Sequence, residues 1–103
     1  MKKNLLLGRL PEDKFVLQLY VCGMSAKSMN AIDSITRLCD EFLHDRYNLE
    51  IIDIYKNPTV AAEQQIVFSP SLIKRSPLPQ KTLVGNFLEV ERVLKGLGIK
   101  VEK

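Results

Sequence analysis

Phe68-Ser69-Pro70-Ser71-Leu72-Ile73-Lys74-Arg75-Ser76-Pro77-Leu78-Pro79-Gln80 is the stretch that governs how this chain can fold. Three of the chain's five prolines, Pro70, Pro77 and Pro79, fall within it. A proline fixes φ, lacks an N–H donor, and pushes the residue before it toward extended backbone. No long helix can pass through such a segment. It therefore separates an upstream part with clear periodicity from a downstream part whose local signals conflict.

Upstream, Phe15-Val16-Leu17-Gln18-Leu19-Tyr20-Val21-Cys22 is apolar except at Gln18. A strand covered on both faces has this composition, which is expected at the centre of an α/β sheet. Gly23 ends it. Ser25 then suits an N-cap, and Ile32, Ile35, Cys39 and Phe42 recur at helical spacing, with Leu38 widening the stripe. His44-Asp45-Arg46 closes this helix. Leu49 to Ile54 reads as a second strand, so the first two strands should be parallel, joined by a helical crossover. Asn57-Pro58 predicts another helix start, with Asn57 as cap and Pro58 at the first position, running to about Val67.

Downstream, Lys81 to Gly85 looks like a strand. Asn86-Phe87-Leu88-Glu89 resembles a capping box for a helix using Phe87, Val90, Leu94 and Leu97. Yet Leu88-Glu89-Val90-Glu91 also alternates apolar and charged residues as a half-buried strand would. Gly96 and Gly98 weaken the end of that helix by up to about 1 kcal/mol each. The two readings stay open on periodicity alone.

The chain of 103 residues suits one domain: a flexible arm over residues 1–13 and a single α/β domain over residues 14–103. The net charge of +3 is spread without a basic run of five, so nucleic-acid binding is not indicated. The apolar run Leu5-Leu6-Leu7 is short of the roughly 7–15 residues of a signal h-region. No stretch is long enough to cross a membrane. Two cysteines, Cys22 and Cys39, fit no CxxC or zinc spacing, and a reducing cytoplasm is their natural setting.

Little in the sequence supports catalysis. The sole histidine, His44, lies near a helix C-terminus and suits a surface, dipole-neutralising role. Cys22 ends the first strand, where a redox α/β domain of this order would carry the first cysteine of CxxC, but Gly23-Met24-Ser25 supply no second thiol. It reads either as a small buried residue or as a single-cysteine site. Cys39 falls on the apolar helix face and reads as core. Gly23-Met24-Ser25 is a weak anion-binding signal, with no GxGxxG or GxxxxGK[ST] present. Asp53 has no second carboxylate nearby, so a hydrogen bond to the following turn is expected. Lys74, Arg75 and Lys81 gather at the proline run, with Lys56 at the earlier turn. They form either a solvated face or a surface for an acidic partner.

Taken together, Leu19-Tyr20-Val21-Cys22-Gly23, Ile51-Ile52-Asp53-Ile54-Tyr55-Lys56-Asn57-Pro58, Ser69-Pro70-Ser71-Leu72, Pro77-Leu78-Pro79 and Val93-Leu94-Lys95-Gly96-Leu97 resemble the KaiB family of clock proteins. The resemblance spans about Phe15 to Leu97. It implies a thioredoxin-related, metamorphic α/β fold, with βαββααβ in a resting homo-oligomer (dimer or tetramer) and βαβαββα in a partner-binding monomer. Family precedent favours the resting tetramer, and Ser69-Pro70-Ser71 matches the family's cis-proline turn.

The resemblance further implies a non-enzymatic regulator without a cofactor, in a clock-like or stress-adaptation system. Its partner would be a KaiC-like ATPase ring, for which a sensor kinase with a KaiB-like domain competes. In full clocks KaiA is captured as well. Lys56, Lys74, Arg75 and Lys81 are the expected partner contacts, and Pro70, Pro77, Pro79, Gly96 and Gly98 the expected switch positions. Alternatives from the residues themselves are a thioredoxin-like single-cysteine thiol protein using Cys22, or a static interaction module. The chain departs from the family pattern at Met24-Ser25-Ala26, Asn30, Lys81-Thr82 and Gly98.

Overall fold

The structure, a computed structural model, describes residues 14–64, 66, 70–85 and 87–99. Strands β1 (Phe15–Val21), β2 (Tyr47–Asp53), β3 (Ser71–Ser76) and β4 (Lys81–Val84) alternate with helices α1 (Ala26–Phe42), α2 (Pro58–Glu63) and α3 (Val90–Leu97). The element order is βαβαββα, and the sheet order is β2-β1-β3-β4. β1 and β2 are parallel, as the helical crossover between them requires, while β3 runs antiparallel to both β1 and β4. This is the thioredoxin-like arrangement, not the resting one that family precedent favours.

Alternation along β1 explains why almost the whole strand is apolar. Phe15, Leu17, Leu19 and Val21 enter one core with Ala31, Ile35, Leu38 and Cys39 of α1 and Val93, Leu94 and Leu97 of α3. Tyr20 enters a second, smaller core with Ile52 and Ile73, against Ile54, Val60 and Ile66. Burial of a side chain such as Ile35 or Leu38 contributes about 1.5–3 kcal/mol, so the larger core dominates. The Ser25 hydroxyl accepts from the Ser28 amide and caps α1 as expected.

Three expectations need correction. The helix begun at Asn57-Pro58 ends at Glu63; Val67 lies outside the described residues. Pro58 does occupy its first turn, but the Asn57 side chain makes no cap and instead donates to the Asp53 carbonyl. Residues 87–89 are not helical, and α3 starts at Val90 after Glu89; Asn86 lies outside the described residues. Periodicity missed β3 altogether. Pro70 and Pro77 flank this strand without occupying it, so neither removes a ladder donor.

The peptide bonds before Pro77 and Pro79 are cis. The turn expected at Ser69-Pro70-Ser71 involves Ser69, which lies outside the described residues, as does the arm at 1–13.

Candidate partner-binding rim

The C-terminal ends of the parallel strands β1 and β2 share one edge of the molecule, where open α/β sheets commonly place their sites. Two loops meet there. Gly23 follows β1 with φ of +69°, a left-handed conformation that favours glycine. A Cβ at Gly23 would stand 3.0 Å from the Tyr55 ring, so the aromatic side chain lies directly over this backbone. Asp53 ends β2, and its Oδ1 accepts from the Gly23 amide at 3.0 Å and from the Tyr55 amide at 3.0 Å. The buried Ser28 hydroxyl donates to the Cys22 carbonyl at 3.3 Å. Asp53 thus has the turn-binding role expected of it.

These bonds hold a rim that presents Met24, 70% exposed, and Tyr55, 73% exposed, beside the exposed Lys56. Two large apolar side chains thus stand in water on a hydrogen-bonded scaffold. The Tyr55 phenol is held above its ordinary value, first by its hydrogen bond with Cys22 and then by charge on that thiol. Beside the rim, α1 and the segment around Phe87 enclose a groove of about 430 Å³, lined by Lys27, Asn30, Ala31, Ser34, Phe87 and Leu88. Periodicity gave no hint of Met24, Tyr55 or Leu88 as surface features. For Met24 and Tyr55 the signal available was their placement in turns, whereas Leu88 fell inside the capping-box pattern.

Both cysteines are free. Cys22 is half-buried beneath the rim, whereas Cys39 is wholly enclosed in the larger core. Burial, with a smaller contribution from Asp40, pushes the Cys39 thiol up to about 12. A thioredoxin-type reductant needs two exchanging thiols, and Gly23-Met24-Ser25 after Cys22 hold no second one. Among the described residues no cluster of three or more His, Cys, Asp or Glu side chains could hold a metal ion. Among them, too, no helix is long and apolar enough to cross a membrane. His44 is exposed in the turn after α1 with φ of 51°.

The expected contact residues do not form one patch. Lys56 belongs to the rim, and Lys81 is exposed on the edge strand β4. Lys74 is a correction: it is only 4% exposed, its ammonium donates to the Leu97 carbonyl at 2.9 Å, and it lies 5.8 Å from the Phe15 ring centre. Strand alternation turns it into the core, so it is not a surface cation in this structure. Arg75 faces the other side of the sheet, half-buried and committed to Gln18, Gln80 and Gln64.

The expected switch positions fall around β3, β4 and α3. Pro70 is buried at the entry to β3, and its carbonyl accepts from the Gly85 amide at 3.2 Å. Pro77 and Pro79 follow β3. Gly96 lets α3 approach Leu83 of β4, since a Cβ there would lie 2.6 Å from a Leu83 methyl carbon. Gly98 caps α3 in the left-handed region, with φ of 75°.

A thioredoxin fold, a rim of exposed Met24 and Tyr55, and a single cysteine at the end of β1 define a thioredoxin-like protein without a CxxC pair. Solved structures agree on the fold. The N-terminal domain of Synechococcus elongatus SasA superposes with a TM-score of 0.68, 19% identity and coverage of 82% of this chain and 80% of that one. Chloroplastic thioredoxin z matches with a TM-score of 0.68, 16% identity, and coverage of 84% and 77%.

Residues 18–99 match the KaiB domain, and the chain belongs to the KaiB family. It is 43% identical over 90 residues to the circadian clock protein KaiB3 of Synechocystis sp., covering 87% of this chain and 88% of that protein. It is 34% identical over 89 residues to the circadian clock oscillator protein KaiB of Synechococcus elongatus, covering 86% and 87%.

Proposed function

We propose that this chain is a cytoplasmic regulatory binding protein that docks as a thioredoxin-like monomer on a KaiC-type ATPase ring. It acts in a clock-like or stress-adaptation system and performs no reaction of its own. The observation that carries this reading is the rim. Asp53 and Gly23 fix two loops whose apolar side chains point into water, while the thiol chemistry native to the fold lacks its second cysteine. The βαβαββα arrangement is the one the family resemblance associates with partner binding, which supports docking in this form.

Exchange with a resting homo-oligomer of different C-terminal packing completes the proposal. Such an exchange requires two packings within a few kcal/mol of each other. Pro70, Pro77, Pro79, Gly96 and Gly98 are the positions proposed to set that balance, and a sensor kinase with a KaiB-like domain is the proposed competitor. Of the cations, Lys56 and Lys81 are proposed as partner contacts in this form.

The test is co-purification of the tagged chain with the KaiC-type ATPase of its own cell, in ATP and in ADP, after prolonged incubation. Complex formation that is weakened by Tyr55→Ser and Lys56→Glu is the expected result. No complex in either nucleotide overturns the proposal.

A further inference from the structure

Two adjacent cations on β3 point to opposite sides of the sheet and bind opposite helical layers. Lys74 passes into the larger core, where its ammonium, lying above the Phe15 ring, donates to the carbonyl of Leu97, the last residue of α3. That carbonyl is among the terminal acceptors a helix cannot satisfy internally. Gly98 follows immediately, and a Cβ there would lie 3.6 Å from the Lys74 ammonium. Arg75 passes to the α2 side, where its guanidinium donates to Gln18 at 2.7 Å, to Gln80 at 3.2 Å, and to Gln64 at the end of α2. Gln18 in turn donates to Glu50 of β2 at 3.1 Å. One dipeptide therefore touches α3, α2, β1 and the turn between β3 and β4.

We infer that Lys74 and Arg75 form a two-sided clamp: Lys74 fastens α3 and Arg75 fastens α2 to β3, and together they select this packing of the C-terminal half over any other. Alternation in a β-strand sends consecutive side chains to opposite faces, so a strand alone can serve both layers in two residues. The clamp exists only when β3 occupies its present register, with Lys74 opposite Leu17 and Lys81. A one-residue slip would exchange the two cations between faces and lose both sets of partners. A buried ammonium separated from its acceptor also carries a large desolvation cost, so Lys74 penalises arrangements that bury it without Leu97. The consequence for an exchange between packings rests on the function proposed above; the clamp itself does not.

Amide hydrogen exchange on the full chain, as wild type, Lys74→Met and Arg75→Met, tests this. Lys74→Met should speed exchange of the α3 amides from Val93 to Leu97 by about tenfold or more while leaving α2 within about twofold. Arg75→Met should do the reverse, loosening residues 60–64 and sparing α3. Unchanged α3 exchange in Lys74→Met, or equal loosening of both helices by either variant, overturns the clamp.

Should Lys74→Met not fold, wild-type NMR decides. A scalar coupling across the hydrogen bond from Lys74 Nζ to the Leu97 carbonyl supports the clamp, and a freely exchanging, uncoupled ammonium overturns it. Size-exclusion with light scattering separates the two claims. The split exchange pattern with a greater oligomer fraction supports both. The same pattern with an unaltered fraction supports the clamp and overturns the two-packing reading.

Discussion

The carboxylate of Asp53, at the end of β2, accepts a hydrogen bond from the amide of Gly23, just beyond β1, at 3.0 Å. The same oxygen also serves the Tyr55 amide, so one side chain fixes both loops of the rim. Asp53→Ala should cost about 1–3 kcal/mol, because it removes a charged acceptor from two backbone donors. Urea unfolding monitored by circular dichroism measures that loss. Asp53→Asn, which keeps one acceptor oxygen, should recover part of it. A loss below about 0.5 kcal/mol for Asp53→Ala would mean that the loops hold themselves.

Burial lowers the Lys74 ammonium from its ordinary value of 10.5, with a smaller push from the neighbouring Lys81. The unfolded chain therefore binds more protons than the folded chain between the lowered value and 10.5. Stability gains a contribution that grows with pH across that window and is absent below it. Lys74→Met should abolish this contribution. Urea midpoints for wild type and variant, measured in parallel up to pH 10.5, should converge or diverge accordingly: wild type gains relative to Lys74→Met as pH rises. A constant difference would contradict the buried, protonatable ammonium.

The two cysteines should separate cleanly toward a thiol reagent. Cys39 is buried with its thiol pushed up to about 12, so the reactive thiolate is scarce at neutral pH and access is closed. Cys22 is half-buried under Tyr55. Iodoacetamide on the native chain, followed by peptide mass spectrometry, should label Cys22 first and Cys39 only after denaturation. Cys22→Ser should leave complex formation with the ATPase intact; loss of a measurable disulfide-reductase activity in that variant would favour a thiol enzyme instead.

These outcomes bear on what the sequence could disclose. β1, α1 and β2 were legible because their apolar periodicity agrees with their turn residues: Gly23 stops the strand and Ser25 caps the helix. β3 was not legible, since Lys74 interrupts its apolar run and two prolines crowd its ends. Nothing local says that an ammonium there will be buried against a helix terminus distant in sequence. The same long-range contact removed Lys74 from the expected partner surface. The start of α3 was equally obscured, because residues 87–89 carry a capping-box pattern that the tertiary packing of Phe87 overrides. At the rim, the bond from Asp53 to the following turn was legible and Lys56 lies in that turn, but the exposure of Met24 and Tyr55 depends on how two loops meet.

Close approach of α3 to β4 yields the final prediction. At Gly96 an added Cβ would come within 2.6 Å of one Leu83 methyl carbon and 3.0 Å of the other. Alanine in a helix is worth about 0.8–1 kcal/mol over glycine, so Gly96→Ala sets that gain against overpacking. Leu83 is half-buried on an edge strand, and its methyl groups can turn aside at moderate cost. Gly96→Ala alone should therefore change stability by no more than about 1 kcal/mol, a small net of opposing effects. The double-mutant cycle with Leu83→Ala is more telling. Shortening Leu83 removes the clash and leaves the helix gain, so the pair should show a coupling of at least about 0.5 kcal/mol in the stabilising direction. Gly98→Ala, by contrast, has no such compensation: its φ of 75° should cost about 1 kcal/mol regardless of Leu83. Additive behaviour of Gly96→Ala with Leu83→Ala, measured by denaturant unfolding, would refute the close packing of α3 on β4.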